Sequence, residues 1–317
     1  MQSLYPEIEP FSSQRFKADG HEIYFEQSGK PDGIPVVFLH GGPGGGSNAN
    51  HRRYFDPDKY HIINFDQRGC NRSRPNGLTD SNTTWKLLED LEHIRATLNI
   101  GKWLLFGGSW GATLALLYAQ HHSANVSGII LRGTFLARKW DLDWFINDGA
   151  NHVFPEYWKE FVDVIPVGER GDLVSAYHAR VHGSDKGERE KAAMAWSIWA
   201  GRIVTYLLKG VNPDSYRPDN VEQTVNEVLI ETHYAKEKYF IEENQILENV
   251  HRLPDVPIHI IHGRRDLTCL VEASWLLKQS LPKAELVIVR EGGHLAGEEP
   301  MVDALVTATD KMARIIK

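Results

Sequence analysis

The chain has 317 residues, 42% of them hydrophobic and 24% charged, a balance that suits an ordinary globular protein and argues against disorder. The formal charge of −7 gives no support to a nucleic-acid partner, which would call for a basic face. No apolar run approaches the length of a bilayer span, so no membrane partner is expected. The two cysteines, Cys70 and Cys269, are too sparse for a disulfide framework. They read as reduced thiols. Met1 to Phe16 carries Glu7, Glu9 and Arg15 and lacks the apolar segment of a secretory signal, so the expected location is cytoplasmic.

In chain order, His21–Gln27 alternates polar and apolar residues and predicts a half-exposed strand. Val36–His40 and His61–Phe65 are short, apolar and β-branched, and predict buried strands. Trp85, Leu88, Leu91, Ile94 and Leu98 fall at helical spacing. Trp103–Phe106 predicts a third buried strand, followed by Gly107–Gly111 and an apolar helix through Ala119; Val126–Leu131 predicts a fourth. Strands alternating with helices in this rhythm indicate an α/β protein with a mostly parallel central sheet and helices on both faces. From about Leu136 to Val250 strand signals nearly vanish, and stretches such as Lys191–Leu208 read as helix. The rhythm resumes with Ile258–His262, a helix near Val271–Gln279, Glu285–Val289 and a last helix from Met301. The expected organisation is one core from residues 1–135 and 251–317, interrupted by a helical insertion over 136–250.

Gly107-Gly108-Ser109-Trp110-Gly111 fits G-x-S-x-G between an apolar strand and a helix, the setting in which that motif presents a strained nucleophilic serine. A glycine-rich turn whose serine caps the helix is the plainer alternative. A serine hydroxyl needs a base, and in this arrangement an acid and then a histidine follow the serine in sequence. Asp266, in His262-Gly263-Arg264-Arg265-Asp266, and His294, in Glu291-Gly292-Gly293-His294, each follow a predicted strand. Both therefore fall at the sheet edge that carries Ser109. Asp266 alone could be a turn residue or helix cap. Ser109 is the candidate nucleophile, His294 the base and Asp266 the acid that orients the base. The run His40-Gly41-Gly42-Pro43-Gly44-Gly45-Gly46 follows another strand and lacks both the G-K-[ST] ending of a phosphate loop and a dinucleotide fingerprint. Its Gly42 N–H, with that of Trp110, is the candidate oxyanion hole. No cofactor is expected.

These segments together, HGGPGGG, FDQRGCNRSRP (Phe65–Pro75), NTTWKLLEDLEHIR (Asn82–Arg95), FGGSWG (Phe106–Gly111), HGRRD and EGGH, resemble the proline iminopeptidases over nearly the whole chain. The resemblance implies an α/β-hydrolase fold with a helical cap domain, no metal, and release of an N-terminal proline from peptides. It also implies that acidic cap residues hold the substrate amine while aromatics hold the ring. Glu231 matches one amine-binding glutamate, and Phe135 and Arg132 match as well; Phe145 is a further candidate for the pocket. Ala200 stands where the second glutamate is expected, with Arg202 two residues on, and Ala235 stands where the family tends to have an aromatic. Two substrate readings follow. One is a small peptide with an N-terminal proline or a similar residue. The other is an ester or amide without a free amine, or with a carboxylate facing Arg202. The oligomeric state is left open. A catalytically dead binding protein of the same fold is disfavoured by the three matching triad positions, and Ser109 excludes the aspartate-nucleophile hydrolases.

Overall fold

The computed structural model describes residues 2–316, so Met1 and Lys317, the end points of the expected core ranges, lie outside the described residues. The chain forms one eight-stranded sheet in the order β1-β2-β4-β3-β5-β6-β7-β8. The strands are β1 (Ser12–Ala18), β2 (His21–Gly29), β3 (Ile34–Leu39), β4 (Tyr60–Phe65), β5 (Trp103–Gly108), β6 (Val126–Arg132), β7 (Ile258–Gly263) and β8 (Glu285–Val289). Pairings from β4 through β8 are parallel, while β1 with β2 and β2 with β4 are antiparallel. The predicted strands all occur. The sequence reading lacked β1, whose SSQRFKA offers only Phe16 and Ala18 as apolar residues and which owes its form to full pairing with β2.

The central parallel strands are buried on both sides, while the edge strand β8 is partly exposed, and alternate residues feed two separate cores. On one face Val37, Leu39, Trp103, Leu105, Ile129 and Leu131 meet helices α1 (Thr84–Thr97) and α2 (Trp110–His121). On the other, Val36, Phe38, Leu104, Phe106 and Ile130 meet Met301, Leu305 and Met312 of the C-terminal helix (Glu299–Ile315). This period-2 sorting explains why the strands read as continuous apolar runs rather than as polar-apolar alternations. The α2 helix is apolar all round and buried all round: Trp110 to Gln120 are all inaccessible.

Between β6 and β7 the described residues form seven α-helices: α3 (Lys139–Ile146), α4 (Ala150–Val153), α5 (Pro155–Val162), α6 (Leu173–Val181), α7 (Lys186–Thr205), α8 (Val221–Lys236) and the short α9 (Gln245–Glu248). Asp172, Asp185 and Asn220 cap α6, α7 and α8 by accepting from the backbone N–H of Ser175, Glu188 and Gln223. These helices bury a third core around Phe161, Tyr177, Trp196 and Trp199. Its aromatics are stacked: Phe161 lies 4.5 Å from Tyr177 and 5.5 Å from Trp199 between ring centres. The end of α8 and the turn after it belong instead to the sheet's own core, through Ile230, Tyr234, Tyr239 and Ile246. Among the described residues, no helix is long and apolar enough to cross a membrane.

Candidate active site

The C-terminal ends of β3, β5, β7 and β8 deliver the glycine loop, Ser109, Asp266 and His294 to one rim of the sheet. Ser109 has φ 57° and ψ −124°, a conformation that costs a non-glycine residue free energy and presents its hydroxyl outward. The turn closes because its neighbours have no side chains. A Cβ on Gly107 would come within 2.1 Å of the Gly111 carbonyl oxygen, and one on Gly111 within 2.0 Å of the Leu39 oxygen. Trp110 occupies the first position of α2, where the backbone N–H has no intrahelical acceptor.

Asp266 is fully engaged. One carboxylate oxygen accepts from the backbone N–H of Thr268 and Cys269, each at 2.9 Å. The other lies 2.8 Å from His294 Nδ1. Burial works to raise the Asp266 pKa, but the adjacent His294 and these hydrogen bonds hold it below the usual carboxylate range. Asp266 is therefore an anion that fixes the His294 ring with Nδ1–H toward it, which leaves Nε2 as the acceptor of a proton, facing the Arg132 guanidinium. Ser109 and His294 line one cavity but are not hydrogen-bonded to each other. The Ser109 hydroxyl lies 3.9 Å from Cys269 Sγ, and His294 Nε2 lies 3.3 Å from Arg132 Nη1. Burial raises the Cys269 thiol pKa well above its ordinary value, so this sulfur is a neutral neighbour.

The glycine loop is held by a buried polar frame that the FDQRGC segment supplies. The His40 ring is neutral because burial lowers its pKa; Nδ1 donates to the Gly41 oxygen at 2.9 Å and Nε2 accepts from the Gln67 N–H at 3.0 Å. The Gln67 side chain donates to the His40 oxygen at 2.9 Å and accepts from the Trp110 indole at 2.8 Å. Gln67 thus ties the loop to the start of α2. Asp66 anchors the loop's far end through Ser47 N and Oγ, both at 2.7 Å. Gly42, at φ 114°, lines the cavity.

The cavity, about 190 Å³, is also lined by Phe135, Phe145, Ala200 and Glu231, so four of the six expected substrate residues meet Ser109 there. Two do not. Arg132 is not among the lining residues; its guanidinium sits against Gly108 and donates to the His294 carbonyl oxygen at 2.7 Å, which makes it a support of the histidine. Arg202 is turned out of the site: it is buried, pairs with Glu160 at 2.8 Å and lies over the Tyr157 ring. Two residues on a helix separate side chains by roughly 200°, so when Ala200 faces the cavity Arg202 faces the opposite side. A substrate carboxylate in the cavity therefore does not meet Arg202.

The cavity also holds groups beyond the six expected substrate residues. Trp196 donates its indole N–H to Glu231 Oε2 at 2.6 Å. Burial raises the Glu231 pKa to about 8, against the lowering effect of that bond. Asp141 is a second carboxylate in the lining, tied to Arg138 at 2.6 Å, and Arg138 also holds Glu272 at 2.7 Å. Two anions on one guanidinium leave a net negative charge beside the cavity. Trp144 donates to the Leu267 oxygen at 2.9 Å and so fixes α3 to the loop that carries Asp266. Among the described residues, no three His, Cys, Asp or Glu side chains cluster to hold a metal ion.

A parallel sheet that brings a strained serine to the same rim as a histidine–carboxylate pair defines an α/β-hydrolase-fold hydrolase. The family model for the alpha/beta hydrolase fold matches residues 34–300. Among solved structures, an α/β fold family hydrolase from Bacillus anthracis str. Sterne superposes with a TM-score of 0.61 at 18% identity, covering 96% of this chain and 100% of that one. An esterase from Rhodococcus sp. ECU1013 superposes at 0.56, again at 18% identity, covering 96% and 98%. The sequence relatives narrow the class. Proline iminopeptidases from Xylella fastidiosa (strain 9a5c) and Xanthomonas citri are each 45% identical, covering 98% and 99% of this chain and 99% and 100% of their own. The proline iminopeptidase of Arabidopsis thaliana is 44% identical over 99% of this chain and 83% of its own length. The chain belongs to the proline iminopeptidase family of serine hydrolases.

Proposed function

We propose that the protein is an aminopeptidase that releases an N-terminal proline, or a residue of similar size, from short peptides through an acyl-enzyme on Ser109. Residues 136–250 serve as a cap domain over a catalytic core built from 1–135 and 251–317. The observation that carries this reading is the Glu231 carboxyl in the same small cavity as Ser109. A buried carboxyl with a single indole partner is costly unless something else uses it. A substrate ammonium would meet it while the ring packs among Phe135 and Phe145.

In the reaction, the Ser109 hydroxyl turns from Cys269 to His294, which takes its proton at Nε2 as the oxygen attacks the carbonyl carbon. Asp266 stabilises the resulting imidazolium. The Gly42 and Trp110 N–H groups meet the oxyanion. Collapse breaks the C–N bond, and His294 gives the proton to the leaving amine. Water, deprotonated by His294, then frees the acyl group and restores Ser109. Serine–histidine contacts in such sites are often long and tighten as the reacting complex forms. The two unpaired, buried thiols fit the expected cytoplasmic location.

A second reading, ester or amide hydrolysis without a free amine, is favoured by one feature. Ala200 offers no carboxylate to the cavity, and Glu231 must lose a proton below about pH 8 before it can hold a cation. Steady-state rates on proline arylamide and on acetyl esters separate the two. Arylamide turnover that exceeds that of N-acetylproline arylamide supports the first reading. Ester turnover with no arylamide cleavage overturns it.

A further inference from the structure

Beside the catalytic cavity lies a larger one of about 790 Å³, whose lining includes Ala137, Val174 and Ala235. Leu142 and Tyr239 line both, so these two side chains are the partition between them. Tyr239 reaches this place through an unusual backbone. Lys238, Tyr239 and Phe240 have φ of 50°, 57° and 58°, three consecutive non-glycine residues in the left-handed region. Such residues are uncommon singly, and a fold retains them where the surroundings over-determine them.

Those surroundings are visible. The Thr84 hydroxyl donates to the Tyr239 oxygen at 2.5 Å. The Tyr239 ring stacks on Trp110 at 5.6 Å and meets Phe135 edge-on at 5.0 Å. Its hydroxyl has no hydrogen-bond partner among the described residues, so polar bonding does not account for the placement. What the strained turn achieves is a ring standing between two cavities. Ala235, one turn earlier on α8, leaves the outer cavity open at that point.

We propose that Tyr239 is the size-determining residue of this hydrolase: with Leu142 it walls the acyl pocket off from the outer cavity and so restricts the enzyme to small acyl groups. The proposal rests on the acyl-enzyme reading of Ser109. It does not rest on the substrate carrying an amine.

The test uses the full chain and two alkyl fluorophosphonates, one short and one long, with the rate of Ser109 labelling as readout. Tyr239→Gly removes the ring while suiting the local φ. The long-to-short rate ratio is expected to rise about tenfold or more, the scale on which pocket size discriminates. Tyr239→Phe keeps the wall and should keep the wild-type ratio. Leu142→Ala opens the partition from its other side, should move the ratio in the same direction, and decides the matter if Tyr239→Gly fails to fold. A ratio within twofold of wild type in the ring or leucine variants overturns the proposal, as does a rise in Tyr239→Phe equal to that in Tyr239→Gly. Short-probe labelling without proline arylamide turnover removes the amine reading and leaves the ratio test intact.

Discussion

Replacing Asp266 by asparagine is a sharp test because the structure dictates which way the amide must face. In the wild type, one carboxylate oxygen accepts from two backbone N–H groups at 2.9 Å and the other meets His294 Nδ1 at 2.8 Å. In Asp266→Asn the amide oxygen must stay with the two backbone donors, since an NH2 group there would leave three donors unpaired and buried. The NH2 then points at His294 Nδ1, which has to become an acceptor. The ring proton moves to Nε2, the nitrogen that should take the proton from Ser109. Shape is preserved and the base is disabled. A wrong-tautomer histidine lowers kcat by about 10⁴ in serine hydrolases, or about 5 kcal/mol of barrier. The assay is kcat/KM on the best arylamide or ester, with the unfolding temperature and Ser109→Ala measured in parallel. A folded Asp266→Asn protein that loses less than about tenfold would refute the tautomer argument.

Other outcomes follow from the cavity. The Glu231 carboxyl, with its pKa raised to about 8, keeps its proton below that pH and must release it to bind an ammonium; kcat/KM for amine substrates should therefore rise with pH up to about 8. Glu231→Gln should flatten that limb and lower kcat/KM for those substrates by about 10- to 100-fold, the worth of one charged hydrogen bond, while acetyl esters lose little. Ala200→Glu adds a carboxylate to those of Glu231 and Asp141 on the cavity wall and should lower KM for proline arylamide by about tenfold; a higher KM would count against an amine-binding role for this wall. Arg202→Met should leave kcat/KM within about twofold and lower stability by about 1 kcal/mol, because the side chain packs on Tyr157 and pairs with the exposed Glu160. A large loss of activity with unchanged stability would put Arg202 back in the site.

The sheet and the gathering of Ser109, Asp266 and His294 at one rim were legible because short apolar runs and glycine-flanked polar residues leave a local signal. Gly107-Gly108-Ser109-Trp110-Gly111 and the loops at Asp266 and His294 carry their geometry in adjacent residues. The fold adds only that three strand ends share a rim. The cavity wall was less legible, since it depends on helix phase across distant segments. Ala200 and Arg202 are near neighbours in sequence and face opposite sides of α7. Asp141 and Trp196 become site residues only when α3 and α7 close over the sheet. The aromatic expected near residue 235 is absent there, yet Tyr239 supplies a ring from a turn whose left-handed backbone no residue pattern announced. Arg202 could have been sorted by periodicity, because a helix that turns Ala200 inward must turn residue 202 away.

The proposed reaction requires the Ser109 hydroxyl oxygen to carry the acyl group. Peptide mapping by mass spectrometry after treatment with a short alkyl phosphonate tests this most directly. A single adduct on the peptide containing Ser109, lost in Ser109→Ala and strongly slowed in His294→Ala, is the predicted result. An adduct on Cys269 in place of Ser109, or full turnover by Ser109→Ala, would contradict it.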